Sequence, residues 1–274
     1  MLLAVDIGNT NIVAAVFDGD VITSRWRISS DTKRTGDEYA CLFRSLLRDG
    51  GLAGGSIKEA AISSVVPALI SPVSFACRAL CGCEPFVLSS DMAYDESLPA
   101  HLDPASSHVG IGCDLLCNAV SSHQLFGGKA AIAVDFGTAL TMIATDSSGV
   151  IRGVTISPGL RTAARSLTEG TAQLPQVALE VPPTSLGYDT QSAIQAGIVL
   201  GYKALVEGLI ARIKADLASL TGDKRDEVKV VATGGMSCVL GSIVSAFDAV
   251  DVDLTIRGLK LIWSANCHHP LTQQ

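Results

Sequence analysis

Apolar positions along the 274-residue chain fall into one plan written twice. Residues 2–7 (LLAVDI) form a short apolar run ending in an acid. The run is too short for a helix and is followed by the turn residues GNTN, which predicts a buried strand. Residues 12–28 (IVAAVFDGDVITSRWRI) read as two strands around the turn Asp18-Gly19-Asp20. Over residues 37–48, Tyr39, Leu42, Phe43, Leu46 and Leu47 recur at helical spacing, and Gly50 and Gly51 end that helix. Residues 58–66, before Pro67, and residues 85–89 predict two further strands. The pattern then restarts. Residues 130–135 (AAIAVD) are an apolar run ending in an acid, followed by Phe136-Gly137-Thr138. Residues 139–145 and 150–156 predict the next strands, with a turn at 146–149. Residues 191–220 predict a long helical stretch, 229–232 a buried strand, Thr233-Gly234-Gly235 a turn, and 258–266 a final helix.

Both segments run strand, acid, glycine and threonine in a turn, hairpin strands, then helices. An internal duplication of an α/β unit is expected. The expected domains are 1–123 and 124–274, with the junction near the Gly127-Gly128 pair.

Composition narrows the function classes. Apolar residues make up 48% of the chain and charged residues 17%, as in a compact globular protein. The net charge of -7 comes without long acidic or basic runs. No nucleic-acid footprint is visible, and a small-molecule partner is expected. No apolar stretch is read as reaching the roughly 18 residues needed to span a bilayer. The start MLLAVDIGNTN lacks a basic segment and meets Asp6, so neither a signal peptide nor a membrane partner is expected, and the expected place is the cytoplasm. The eight cysteines are expected as reduced, packed thiols and not as a disulfide framework or a zinc site.

The candidate chemistry sits at the strand ends. In Asp6-Ile7-Gly8-Asn9-Thr10, Gly8 permits close approach of a phosphate. Asn9, Thr10 and the turn amides offer donors, and Asp6 suits Mg²⁺ held through water. The same motif alone is also compatible with an ordinary hairpin turn. Asp135-Phe136-Gly137-Thr138 is a second copy, and two phosphate loops suit a nucleotide clamped in a cleft between domains, with Asp6 facing Asp135. No GxxxxGK[ST] loop or protein-kinase motif set is present. Thr233-Gly234-Gly235 supplies a third turn. This order resembles the actin, sugar-kinase and heat-shock-ATPase superfamily, in which adenosine lies flat on such a Gly-Gly backbone.

A narrower resemblance covers nearly the whole chain. The segments DIGNTNIVAAVFDGDVITSRWRISSDTKRTGDEY, VDFGTALT, ISPGL, LPQVALEVPPTSLGYDT, AIQAGIVLGY, VVATGG and LTIRGL are similar to type III pantothenate kinases in order and spacing. The resemblance implies duplicated actin-like ATPase domains of the α/β class, each with a mixed five-stranded sheet flanked by helices. It implies ATP-dependent phosphorylation of pantothenate at its terminal hydroxyl, the first step toward coenzyme A. It also implies Mg²⁺, a monovalent cation (K⁺ or NH₄⁺) at Asp135, and a homodimer with acceptor sites near the interface.

The family's Gly-Ala-Asp-Arg run matches Gly112-Cys113-Asp114-Leu115 here. Asp114 then corresponds to the general base for the acceptor hydroxyl; Asp is also a favoured helix cap. Gly112, Cys113, Asp114 and Leu115 are expected to line the acceptor site. Thr190 is expected to reach the acceptor across the dimer interface. His101 falls near a family tyrosine, while His101 and His108 also fit a solvated loop. The chain departs from the family at Leu115, where a cation is usual, at Val154 in place of a glycine, and at Tyr188 in place of a lysine. These departures keep two alternatives open: a catalytically impaired homologue that binds nucleotide or ligand and regulates a partner, and a kinase for another small hydroxyl acceptor. Arg161 and Arg165 are candidates to replace the missing cation.

Overall fold

The protein is described from a computed structural model that covers residues 1–52, 55–103 and 110–267. The chain forms two compact units, residues 1–121 with 255–274, and residues 122–254.

The first unit is built on β1 (Leu2–Ile7), β2 (Asn11–Asp18), β3 (Val21–Ser29), β4 (Glu59–Ser64) and β5 (Phe86–Val87). The sheet order is β3-β2-β1-β4-β5. β1 runs antiparallel to β2 and parallel to β4, and β5 joins β4 in parallel. β1 is buried on both faces, as its unbroken apolar run requires. β3 instead alternates between half-buried and exposed residues and forms one sheet edge.

α1 (Gly36–Asp49) starts at a capping box. Thr35 Oγ1 accepts from the Glu38 amide at 3.3 Å, and the Thr35 amide donates to Glu38 at 2.7 Å. Its Tyr39, Phe43 and Leu47 join Leu3, Val5, Ile7, Leu69 and Val73 in the core. α2 (Pro67–Cys81) packs on α1, where a methyl group added at Gly36 would lie 2.6 Å from the Phe75 ring. The sequence pattern stopped at Pro67, yet Pro67 opens α2. The missing N–H does no harm in a first helical turn.

The second unit repeats the plan. β6 (Ala131–Phe136), β7 (Ala139–Thr145), β8 (Ile151–Pro158), β9 (Lys229–Thr233) and β10 (Ala249–Val250) form a sheet of order β10-β9-β6-β7-β8. Read from β8, this is the first sheet's order, with the same two antiparallel and two parallel pairings. The duplication expected from the sequence is therefore present in topology.

α3 (Cys113–Leu125) runs from the first unit into the second, and α4 (Leu160–Gly170) follows β8. The long helical stretch is α5 (Thr190–Gln195), a π-helical turn (Ala196–Leu200) and α6 (Gly201–Thr221). This stretch corrects the reading that no run suffices for a bilayer. Thr190–Thr221 is long and apolar enough by length and composition, with a mean hydropathy of 1.4 over its best window. Its Val199, Val206, Ile210 and Leu217 pack into the second unit's core beside Ile132, Val134 and Val230, so its apolar face is that of a core helix.

α7 (Ser237–Leu240) is short, and α8 (Leu254–Cys267) begins four residues before the expected final helix. α8 groups with the first unit, not with the second half of the chain. The cause is close packing on α3: a methyl group at Gly258 would run into the Cys117 backbone, and Thr255 Oγ1 donates to Asn118 Oδ1 at 2.8 Å. Lys260 also pairs with Asp20 in the β2–β3 turn.

Candidate active site

In the first unit, the Asp6 loop follows from strand geometry. Asp6 stands opposite Val13 on β2 and Ser63 on β4, at the end of the buried central strand. The chain then turns tightly, with the Gly8 amide donating to Asn11 O at 3.0 Å. A methyl group at Gly8 would sit 3.1 Å from that same oxygen, so the turn favours glycine. Asn9 and Thr10 are exposed, and Asp6 is half-buried. Ser30 braces the loop, its hydroxyl donating to Gly8 O at 2.5 Å and its amide to Thr10 O at 3.0 Å. The sequence reading gave Ser30 no role, although a serine just past the paired strand is a polar residue placed to bond a turn.

Asp114 lies in the first turn of α3, where the positive end of the helix favours a carboxylate. Its Oδ1 accepts from the Leu115 amide at 2.8 Å. A methyl group at Gly112 would lie 2.5 Å from Asp114 Oδ1, so that glycine keeps the carboxylate's space open. Burial pushes the Asp114 carboxyl above its ordinary value, outweighing the amide bonds that work the other way. Among the described residues, no cationic side chain contributes to that shift. Leu115, 8% exposed, places an apolar side chain next in sequence.

Cys113 donates to Leu88 O at 3.4 Å, and burial raises its thiol, with the charges of Asp114 and Asp6 adding to the effect. Burial likewise raises Cys117 well above the ordinary value, again with Asp6 and Asp114 contributing. Both carboxylates therefore act on one pair of thiols, which gathers Asp6 and Asp114 around the start of α3. His101 is half-buried, and its Nδ1 is buried without a protein partner among the described residues. His108 lies outside the described residues.

The second unit rebuilds the loop. Asp135 pairs across to Thr141 on β7 and Thr233 on β9. The Gly137 amide donates to Ala139 O at 3.1 Å, the counterpart of the Gly8 bond. Gly137 and Thr138 are exposed and Asp135 is half-buried, as in the first loop. Gly234 has φ +87°, and a methyl group there would collide with Asp135 Oδ1 and the Phe136 backbone. Only glycine fits that approach, so the third turn packs directly on the second acid, and Gly235 beside it is exposed. Gly159 makes an equally close approach to the carbonyls of Gly137 and Thr138, and Thr162 Oγ1 donates to Thr138 O at 2.7 Å. The SPG turn thus buttresses the second loop, a role the sequence reading did not assign.

Thr190 is the first residue of α5. Asp189 caps that helix, accepting from the Ser192 amide at 2.7 Å. Thr190 lines an apolar groove of about 430 Å³ with Leu167, Leu174, Ala193, Ile194 and Ile198. Leu186 and Tyr188, just before it, are 75% and 93% exposed. Val154 lines a separate groove between β8 and α6, with Arg152 and Asp216.

Comparison with known proteins decides the family. The family model described as type III pantothenate kinase matches residues 2–212. The type III pantothenate kinase of Paramagnetospirillum magneticum is 40% identical over 97% of this chain and 98% of its own length. The chain belongs to the type III pantothenate kinase family. A second member, from Phenylobacterium zucineum, is also 40% identical, over 97% of this chain and 98% of its own length. Among solved structures, a Baf family protein from Campylobacter jejuni aligns with TM-score 0.54 at 16% identity, over 97% of this chain and 100% of that one. A ROK family glucokinase from Streptomyces griseus, solved with glucose and AMPPNP, aligns with TM-score 0.50 at 15% identity, over 94% of this chain and 97% of that one. At such identity these two show the actin-like fold alone.

Proposed function

We propose that this type III pantothenate kinase transfers the γ-phosphoryl group of ATP to the terminal hydroxyl of pantothenate, with Asp114 as general base. The observation that carries the reading is the half-buried Asp114 carboxyl, raised by burial and gathered with Asp6 at the start of α3. Its raised proton affinity suits it to accept the hydroxyl proton as the oxygen attacks. The nucleotide phosphates lie against Gly8, Asn9 and Thr10 of the first loop and Gly137 and Thr138 of the second. Gly234 and Gly235 take the adenosine.

The acids present fit the implied ions. No cluster of three or more His, Cys, Asp or Glu able to hold a metal occurs among the described residues. Mg²⁺ needs none, because it keeps several waters and binds through one or two carboxylates plus phosphates. Asp6 would hold it through water, and Asp135 would hold the monovalent cation. Bound there, the ions offset phosphate charge.

Acceptor binding draws on Gly112, Cys113, Asp114 and Leu115. His101 is added because its buried Nδ1 has no protein partner among the described residues. Thr190 of a second copy completes the site, which makes the working unit a homodimer in the cytoplasm. The apolar groove around Thr190 and the exposed Leu186 and Tyr188 support that assembly.

A second reading, a kinase for another hydroxyl acceptor, is favoured by Leu115 alone, since an apolar neighbour offers an anionic acceptor no donor. One experiment separates the two: ADP release by the purified protein with pantothenate present and absent, beside calorimetry with a non-hydrolysable ATP analogue reaching millimolar. Pantothenate-dependent release is expected. Analogue binding without it would move the assignment to the second reading or to a homologue that binds nucleotide without turnover.

A further inference from the structure

Three of the eight cysteines meet at the end of α2, far along the chain from the loops described above. Cys77 is buried, while Cys81 and Cys83 are each half-exposed. α2 stops at Gly82, which has φ +71° and caps the helix with its amide on Arg78 O at 2.9 Å. That left-handed glycine folds the chain back between Cys81 and Cys83. Cys83 lies near enough across the turn to act on the Cys81 thiol and help raise it. Cys81 donates to Cys77 O at 2.7 Å, and Cys83 donates to Lys58 O at 3.2 Å. An ion pair spans the turn, with the Arg78 guanidinium donating to Glu84 at 2.7 Å. The turn is therefore held from both sides with its two thiols together.

We propose that Cys81 and Cys83 form a dithiol site that closes reversibly to an intramolecular disulfide, with a low-molecular-weight disulfide of the glutathione type as oxidant. One thiolate attacks the oxidant, forming a mixed disulfide and releasing one small thiol. The second protein thiolate then displaces the other small thiol. Two protein S–H bonds and one oxidant S–S bond are exchanged for one protein S–S bond and two small thiols, so two electrons pass to the oxidant.

Residues two apart and folded at a left-handed glycine bring their Cα atoms within the roughly 4.4–6.8 Å that a disulfide spans. A metal site is the weaker use of these thiols, since no metal-holding cluster occurs among the described residues. Cys77 is too buried to meet an oxidant, and on the helix its side chain lies one turn below Cys81. Ring closure withdraws Cys83 from the Lys58 carbonyl, which leads into β4.

The test uses the intact, pre-reduced protein. Burial and the neighbouring thiols push Cys81 up to about 11, so the reaction is run at pH 8.5 with oxidised glutathione. Remaining thiols are blocked with N-ethylmaleimide, and the protein is mapped by mass spectrometry. The expected result is a loss of two hydrogens, about 2 Da, located in the Cys81-Gly82-Cys83 segment and reversed by dithiothreitol. Cys81→Ser should lose that signal and retain a glutathione adduct at the half-exposed Cys83. Three results would overturn the proposal: a wild-type adduct at either cysteine that never closes, a Cys77–Cys81 link, or free Cys81 and Cys83 while exposed Cys41 and Cys238 have reacted.

Discussion

At the residue scale, Asp114 carries a conflict between folding and chemistry. Its carboxyl is raised by burial from the ordinary 3.8, so the folded chain holds a proton over a window where the unfolded chain has lost it. The contribution of this group to stability therefore falls as pH rises through that window, and the loss persists above it. Asp114→Asn keeps the acceptor oxygen for the Leu115 amide and removes the charge. We expect its melting temperature at neutral pH to rise by about 2 °C or more in calorimetry. We expect its pantothenate-dependent turnover to fall by about 10²–10⁴. In the wild type, the acid limb of kcat/KM should lie above the range of an ordinary exposed carboxylate. Leu115→Arg probes the neighbouring position. If no other cation serves the acceptor, steady-state kinetics should show kcat/KM rising by about 10–10³; no change would assign that role to another side chain, with Arg161 the first to substitute. The motif residues were legible because each is a rare type at a strand end. Ser30, Gly159 and Thr162 were not, since they act by bonding another loop's carbonyls from a distance in sequence.

At the scale of single elements, the β7–β8 hairpin shows how a turn is built around a charge. Asp146 is 2% exposed. Its Oδ1 accepts from the Ser148 amide at 2.8 Å, the Ser148 hydroxyl at 2.6 Å and the Val150 amide at 3.0 Å. Its Oδ2 accepts from Arg152 at 2.6 Å. Burial works to raise this carboxyl, but the Ser148, Arg152 and Val150 bonds prevail and hold it below the ordinary value. The stability it supplies is present above the unfolded pKa and is lost as pH falls through the folded one. Asp146→Ala leaves those donors unpaired and should cost about 2–4 kcal/mol in urea unfolding at neutral pH, with the difference from wild type shrinking toward pH 3. Strands read well from sequence because β1 and β6 are continuous apolar runs between turn residues. Helices read less well. α2 was hidden behind Pro67 and carries Pro72 inside it, and α4 lacks an apolar run and buries only Leu160. The long stretch from Thr190 was legible as helix but not its π-helical turn, which depends on packing and not on composition.

For the whole molecule, repetition was the most legible feature and the closing of the chain the least. Two apolar runs ending in acids sufficed to expect two equivalent sheets. Nothing in the pattern of 258–266 told which sheet that helix would join, because its neighbour is α3, more than a hundred residues earlier. The proposed assembly is tested by sedimentation at micromolar concentration, where a dimer is expected. Tyr188→Glu, at a fully solvated position of the single chain, should shift the equilibrium toward monomer without lowering the melting temperature of the monomer. The return of α8 to the first unit has a consequence for how the gene could be cut. The second unit is one uninterrupted insert between Ser121 and Thr255, and the Asn118–Thr255 bond keeps both of its flanks side by side. Residues 122–254 are thus an excisable cassette: expressed alone they should melt cooperatively, and a short Gly-Ser bridge from residue 121 to residue 255 should leave the host able to fold without its guest.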